Sequence, residues 1–444
     1  MKRAVVLALA LAVGRLPLGC ASDAPPVTPE APDAAPDARE PDAAEGDASS
    51  VDAELPDPKP PAGLPEGWVL DRTYDRFCHF YVPTSRAYLP KPIAWEACPA
   101  TATPQGGVCR KMTVDWAPSN RQFPLGTIVG AWADASGAVR LVVRRSLSAG
   151  WGQLVVADAD GAVHSALLET KSTFCAATWP TISGAHYVYY LTEFGSSVGG
   201  AIGGEISAIG PTFGIHYKPP EAEQPFAGPD YIASLVGSRV DRYSWSGQRE
   251  GTLWRAVDDD GLQHHIPQFG RNAAFMHVGR LYEGKIKVSV AGAPMKDLIV
   301  GGPDFTHDVA DIGTDGTDLV WMDGRGRTSP TGPYDTYTVM TSPFATQPSQ
   351  LVERRLRSEE GPAFGSAPFV VGCGHAARTN LHTRLVRLSD GVSWLLNGDP
   401  AKPWRFITPL AITCTELFAT VNDGGVVGVA RIRLDSLGPG IPPD

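Results

Sequence analysis

Residues 313–325 read "GTDGTDLVWMDGR", and their interpretation decides the fold. Gly313, Thr314, Asp315 and Gly316 form turn chemistry, Leu319 to Met322 form an unbroken apolar run, and Asp323-Gly324 stop it. Four apolar residues between turn formers are too few for a helix and suit a strand buried on both faces. Two other stretches repeat this phrase of turn, apolar strand and polar stop: "SGAHYVYYLTE" at 183–193 and "TCTELFATVND" at 413–423. Weaker copies lie near Ile128, Leu235, Val278 and Val370. The anchors are spaced roughly 40 to 60 residues apart, as four-stranded repeats would be.

The remaining body has the same texture. "RLVVRRSL", "QLVVADAD", "TRLVRLSD" and "GVARIRL" are short β-favouring runs, separated by turns such as "DASGAV", "DADGAV", "LSDGVS" and "NDGGVV". Only "SQLVERRLRSEEG" at 349–361 has a helix-compatible composition. The expected class is therefore all-β. A single β-propeller of about seven blades (six to eight) fits best, because radial closure protects sheet edges. In it, continuous apolar runs such as "YVYYL" and "LVWM" would be inner strands, and alternating runs such as "ARIRL" outer ones. The segment at 68–82, "WVLDRTYDRFCHFYV", would close the ring by joining the last blade. With its recurring phrase, the body loosely resembles the degenerate TolB-like propellers of bacterial surface and periplasmic proteins.

The chain begins "MKRAVVLALALAVGRLPLGC". Lys2 and Arg3 precede an apolar run too short to span a bilayer, the pattern of an export signal. Leu16-Pro17-Leu18-Gly19-Cys20 resembles the lipobox of bacterial lipoproteins, which implies a lipidated Cys20 as the mature N-terminus; ordinary secretion is the alternative. Residues 23–66 are nearly all Ala, Pro, Asp, Glu and Ser, with twelve acids and two bases. Such a segment cannot bury enough apolar surface to order itself and self-repels into an extended spacer. The expected organisation is a signal peptide at 1–19, a lipidated cysteine and spacer at 20–66, and the propeller at 67–444. The spacer accounts for a net −10, equal to the charge of the whole chain, and the leader carries three bases, so the body stands at about −3. A near-neutral body without a basic stripe argues against nucleic acid as a partner.

Six cysteines follow Cys20, an even number suited to disulfides in an oxidising compartment. Cys98 and Cys109 flank a turn containing Gly106-Gly107, Cys373 and Cys414 lie in consecutive repeats, and Cys78 with Cys175 remain by elimination. No C-x-x-C occurs, which disfavours zinc.

Chemistry is sparse. Asp311, Asp315 and Asp318 are the candidate metal ligands, and calcium is the ion they would take. Asp311, Asp315 and Gly316 supply the first and third acids and the glycine of an EF-hand loop, but its middle and last ligands are missing, so a structural turn is the preferred reading. Gly195 to Gly199 fits G-x-S-x-G but leads into a glycine-rich stretch rather than a supporting helix. "LSDGVSW" at 388–394 resembles the Asp-box of sialidase-type propellers but has no residue between Asp390 and Gly391. His264 and His265 would face opposite sides of a strand, and His277 and His307 could meet only through tertiary structure. No catalytic residue is assigned and no cofactor other than calcium is expected. The expected function is a membrane-tethered binding or scaffold module at the outer membrane or cell surface, with a protein or glycan ligand; periplasmic or secreted placement is the alternative. A polysaccharide hydrolase or lyase on the same fold, and assembly through a partner as TolB-like proteins do, are the rivals.

Lipidation has a direct readout. Cys20→Ser should release the protein from the membrane fraction into the soluble exported fraction, and unchanged membrane association would overturn the lipobox assignment.

Overall fold

The computed structural model describes residues 63–443 apart from interstrand segments, the longest being 99–106, 114–128, 327–335 and 360–368. For strands between 175 and 227 it gives the backbone course alone. Four strands precede the repeats: β1 (Trp68–Tyr74), β2 (Cys78–Pro83), β3 (Glu96–Ala97) and β4 (Cys109–Thr113). The first repeat is β5 (Val129–Ala133), β6 (Val139–Ser146), β7 (Trp151–Asp158) and β8 (Val163–Thr170). The second is β9 (Cys175–Ser183), β10 (His186–Phe194), β11 (Ala201–Ile209) and β12 (Ile215–Tyr217). The third is β13 (Gln224–Ala227), β14 (Ile232–Val236), β15 (Arg239–Tyr243) and β16 (Arg249–Arg255). In the fourth, β17 (Gln263–His264) and β18 (Gln268–Gly270) both pair with β19 (Ala273–Arg280), followed by β20 (Glu283–Val290) and β21 (Lys296–Val300). The fifth is β22 (His307–Thr314), β23 (Asp318–Arg325), β24 (Thr336–Pro343) and β25 (Arg354–Glu359). The sixth is β26 (Val370–Gly372), β27 (His375–Thr379), β28 (Thr383–Arg387) and β29 (Ser393–Leu395), and β30 (Trp404–Ile412), β31 (Glu416–Asp423) and β32 (Val426–Arg433) complete the chain.

These strands form seven antiparallel sheets in which sequence neighbours pair. First strands meet around a centre: β30 touches β5, β5 touches β9, β9 touches β13, β18 touches β22, β22 touches β26 and β26 touches β30. Consecutive sheets packed face to face around an axis make a β-propeller, as the sequence implied.

The repeated phrase is the second strand of its sheet. The three strong copies are β10, β23 and β31, each paired on both sides. They are inner strands of their sheets though not the innermost, and the alternating runs of β28 and β32 lie third, on the outer side of them. A central strand is covered on both faces, and successive side chains feed opposite interfaces. In β23, Leu319 and Trp321 join a core with Phe275 and Ile286 of the fourth sheet. Val320 and Met322 join one with Ala376 and Val386 of the sixth. The helix-compatible stretch gives only a 3-10 turn, Pro348–Gln350, before β25. Arg354, Arg355 and Arg357 are good helix formers, but edge pairing with β24 and burial of Leu356 prevail.

Closure also differs from expectation. The β1–β2 hairpin does not join the last sheet; it extends the first, with Phe80 opposite Glu169 and Tyr81 opposite Leu168. Its Trp68 and Tyr81 bury against Val155, Ala157 and Leu168. Closure falls to β4, which pairs along β32 from Gly428 opposite Thr113 to Ile432 opposite Cys109. Three residues apart on a strand, Cys109 and Met112 point to opposite faces. Cys109 enters the core shared with the sixth sheet, and Met112 the core shared with the first. The segment carrying the chain from β2 to β4 seals the same seam. Trp95 lies edge-on to Phe418, its Nε1 donates to Ala159 O at 2.9 Å, and Arg431 stacks 5.4 Å from its ring.

Two disulfides brace this region. Cys98–Cys109 ties the β3–β4 hairpin, and Cys373–Cys414 ties the β26–β27 turn to the β30–β31 turn of the next sheet, the two pairings read from the sequence. Cys78 opens β2 and Cys175 opens β9; their side chains lie outside the described ones. At the C-terminus Ile441 exchanges backbone hydrogen bonds with Ser393 on the edge of the sixth sheet.

Phe418 is fully buried beneath Trp95. Phe418→Ala should lower the unfolding free energy by about 3–5 kcal/mol, measured by urea denaturation. A loss within the range of a surface substitution would show that the seam is not packed as described.

Candidate functional site

The acids between 308 and 323 are distributed to different places. Asp308 Oδ1 accepts from Gly284 N at 2.6 Å and Val309 N at 2.9 Å, tying the fifth sheet to the fourth. Only glycine fits at 284, because a Cβ there would stand 1.9 Å from that oxygen. Asp315 Oδ1 accepts from Thr317 N at 2.8 Å and Asp318 N at 2.9 Å, an Asx turn capping the β22–β23 hairpin. Burial and the charge of Asp315 raise the Asp318 carboxyl above its ordinary value.

Asp311 leaves this group altogether. It sits on a bulge in β22 with φ +55°, a left-handed conformation unusual for a side-chain-bearing residue. Its carboxylate is buried and bonds the buried Arg378 of β27 in the next sheet. Burial pushes it up to about 7, against the pull of Arg378 and helped by the nearby Asp308 charge. Of the three proposed metal ligands, the structure brings Asp315 and Asp318 together and turns Asp311 away. Among the described residues no group of three His, Cys, Asp or Glu side chains is arranged to hold a metal.

Asp323 reaches a different environment. β22 and β23 pair so that His307 lies opposite Arg325, and Asp323 and Arg325, two apart on a strand, share a face. His307 Nε2 consequently stands 3.1 Å from Asp323 Oδ1, and Arg325 grips the same carboxylate through Nε and a terminal nitrogen, at 3.1 and 2.9 Å. Burial alone would raise the Asp323 carboxyl, but the His307 ring and Arg325 guanidinium outweigh it and hold it below its ordinary value. These groups line a cleft of about 270 Å³ between the fourth and fifth sheets. Leu298, Ile299, Val309, Trp321, Pro348 and Leu351 supply its apolar lining and Glu353 a further carboxylate. Neighbouring Val300 and Val352 are exposed apolar residues at 50% and 65%.

Sequence reasoning placed His307 among scattered histidines and Asp323 beyond the strand. The signal that could have joined them was the hairpin register, with the i, i+2 spacing of Asp323 and Arg325 as its local part. The other motifs resolve into structure. Asp390 Oδ1 accepts from Val392 N at 3.1 Å in the β28–β29 turn, and Trp394 is buried beside it. Cys373 is disulfide-bonded, with His375 Nδ1 3.0 Å from its carbonyl oxygen. The serine motif at 195–199 and His265 lie outside the described residues, as does the side chain of His264.

A similar pairing of carboxylate with guanidinium occurs away from the cleft. Asp241, fully buried, accepts from Arg239 Nε at 2.9 Å, Arg249 Nε at 3.0 Å and Thr252 Oγ1 at 2.7 Å. Burial opposes ionisation there, yet these donors bring its pKa down to about 2.

Asp311 has a pH consequence of defined sign. Its folded pKa lies above the unfolded one, so its contribution to stability is full below about pH 4 and is lost as pH rises towards 7. Relative to wild type, Asp311→Asn should therefore gain stability progressively across that window, by a total on the order of a few kcal/mol, with no further change above it. Parallel stability–pH curves for the two proteins would mean that Asp311 is ionised throughout.

No known protein family matches the chain, and no curated protein matches it in sequence. Solved structures similar to it include one from a mitotic checkpoint complex, at 11% identity, 78% of this chain and 99% of that one, with a TM-score of 0.45. Another is the polysaccharide lyase Uly1, at 10% identity, 78% and 98% coverage and a TM-score of 0.42. A third is YCF48 from Cyanidioschyzon merolae, at 11% identity, 70% and 98% coverage and a TM-score of 0.40. Likeness at this level carries no functional argument.

Proposed function

We propose that this chain is an exported, lipid-tethered propeller that acts as a binding module, with the cleft between the fourth and fifth sheets as its seat. Lipid on Cys20 would hold it at the outer membrane or cell surface, and the acidic spacer would carry the propeller away from the bilayer. The ligand would be a glycan or a protein presented at that surface. The two disulfides accord with an oxidising compartment.

The observation favouring binding over turnover is the state of Asp323. A general acid or base works best with a pKa near the operating pH. Asp323 is held low by His307 and Arg325, which keeps it an ionised acceptor in fixed geometry. Asp311 does have a pKa near neutrality, but it is buried behind Arg378, beyond the reach of a polymeric substrate.

The rival polysaccharide hydrolase or lyase can be separated by product formation. The mature protein, incubated at stoichiometric concentration with neutral and acidic envelope polysaccharides, should generate neither new reducing ends nor the ultraviolet absorbance of unsaturated uronates. Time-dependent product that disappears in Asp323→Asn would make the cleft an active site and end the binding-module reading.

A further inference from the structure

We propose that the cleft between the fourth and fifth sheets accommodates a single neutral pyranose residue of a glycan, an inference that rests on reading this cleft as the binding seat. At about 270 Å³ the cleft lies just below the usual ligand-pocket range of roughly 300–1,000 Å³. That size suits one ring rather than a run of them.

Its polar groups come as adjacent donors and acceptors. Arg325 commits Nε and one terminal nitrogen to Asp323, and its other terminal nitrogen has no hydrogen bond among the described residues. The Arg325 side chain is 60% exposed, so that nitrogen is available to a ligand. His307 stands beside the pair, with Nε2 3.1 Å from Asp323 Oδ1. Glu353 adds an open carboxylate beside Arg325. A sugar hydroxyl both donates and accepts, so neighbouring hydroxyls on a ring match a guanidinium nitrogen next to a carboxylate oxygen. The apolar lining from Val309, Pro348 and Leu351, with the exposed Val300 at the mouth, suits the C–H face of the ring.

Charge decides among ligands. Arg325 and Asp323 neutralise one another, which leaves Glu353 as the cleft carboxylate to which no cation is bonded among the described residues. An anionic ligand would meet that carboxylate with only the remaining terminal nitrogen of an already neutralised Arg325 to offset it. A cationic ligand would pair with an exposed side chain, an interaction that solvent and salt largely screen. A neutral polyol avoids both costs and uses the fixed donors and acceptors already present.

The test is saturation-transfer NMR on the mature full-length protein. The neutral probes are the methyl glucopyranosides, galactopyranosides and mannopyranosides, with methyl glucuronide as the anionic probe and N-acetyl-lysine amide as the cationic one. At least one neutral pyranoside should bind saturably, and Glu353→Gln and Arg325→Met should each weaken it about ten-fold, the loss of a charge-assisted hydrogen bond. Unchanged thermal midpoints would show that both variants fold. Val300→Asp, at an exposed residue of the cleft's lining, is expected to weaken the same binding without touching the polar groups. Tighter binding of either charged probe, no saturable pyranoside binding, or pyranoside binding indifferent to all three substitutions would overturn the proposal. Each of these outcomes can occur in a protein that forms no products from polysaccharide, so failure here is distinguishable from failure of the binding-module reading.

Discussion

The fold depends on one pairing, that of β4 with β32. A ring of sheets buries its faces only if the last sheet meets the first, and three strands at the C-terminal end leave the seventh sheet short. An N-terminal strand must cross to it. Cys109–Thr113 does so with alternating side chains that fill both flanking cores. The surrounding structure reinforces this choice. Arg431 carries the β4 pairing, stacks on Trp95, bonds Ala159 O at 2.9 Å across the seam, and grips Glu416 with two nitrogens. Cys98–Cys109 braces the hairpin that brings β4 in, and Cys373–Cys414 joins the seventh sheet to the sixth.

The same geometry explains which parts of the fold were legible in the sequence. Second strands advertise themselves because both of their faces are buried, and "LVWM" in β23 feeds two cores with alternate residues. The repeat, the all-β class and two disulfide pairings follow from such local signals. The closing strand was not legible, because "WVLDRTYDRFCHFYV" is the more apolar candidate while β4 is short and contains Arg110 and Lys111. What selects β4 is non-local: the hairpin before it can bury Trp68 and Tyr81 on the first sheet without leaving its own side of the ring. Arg354 to Arg357 likewise read as helix until edge pairing with β24 is available.

The site was less legible than the fold for a related reason. One stretch of sequence supplies an inter-sheet tie at Asp308, a buried ion pair at Asp311, a turn cap at Asp315 and a cleft carboxylate at Asp323. Their crowding in sequence suggested a metal loop, but a bulge at Asp311 and strand alternation send them in different directions. The cleft takes His307 and Arg325 from the two paired strands at the open end of a hairpin, and Leu298 and Ile299 from the preceding sheet, so only the assembled register reveals it. Carboxylates paired with guanidinium groups, here and at Asp241, are held ionised in fixed geometry rather than poised for proton transfer.

Native-state hydrogen exchange resolved to individual peptides tests the closure most directly. If β4 is an integral strand of the last sheet, the amides of 109–113 and of β32 exchange only through global opening, at the rate of the central strand β23. Exchange of 109–113 orders of magnitude faster than β23, with β31 and β32 still protected, would show that the ring does not depend on this strand.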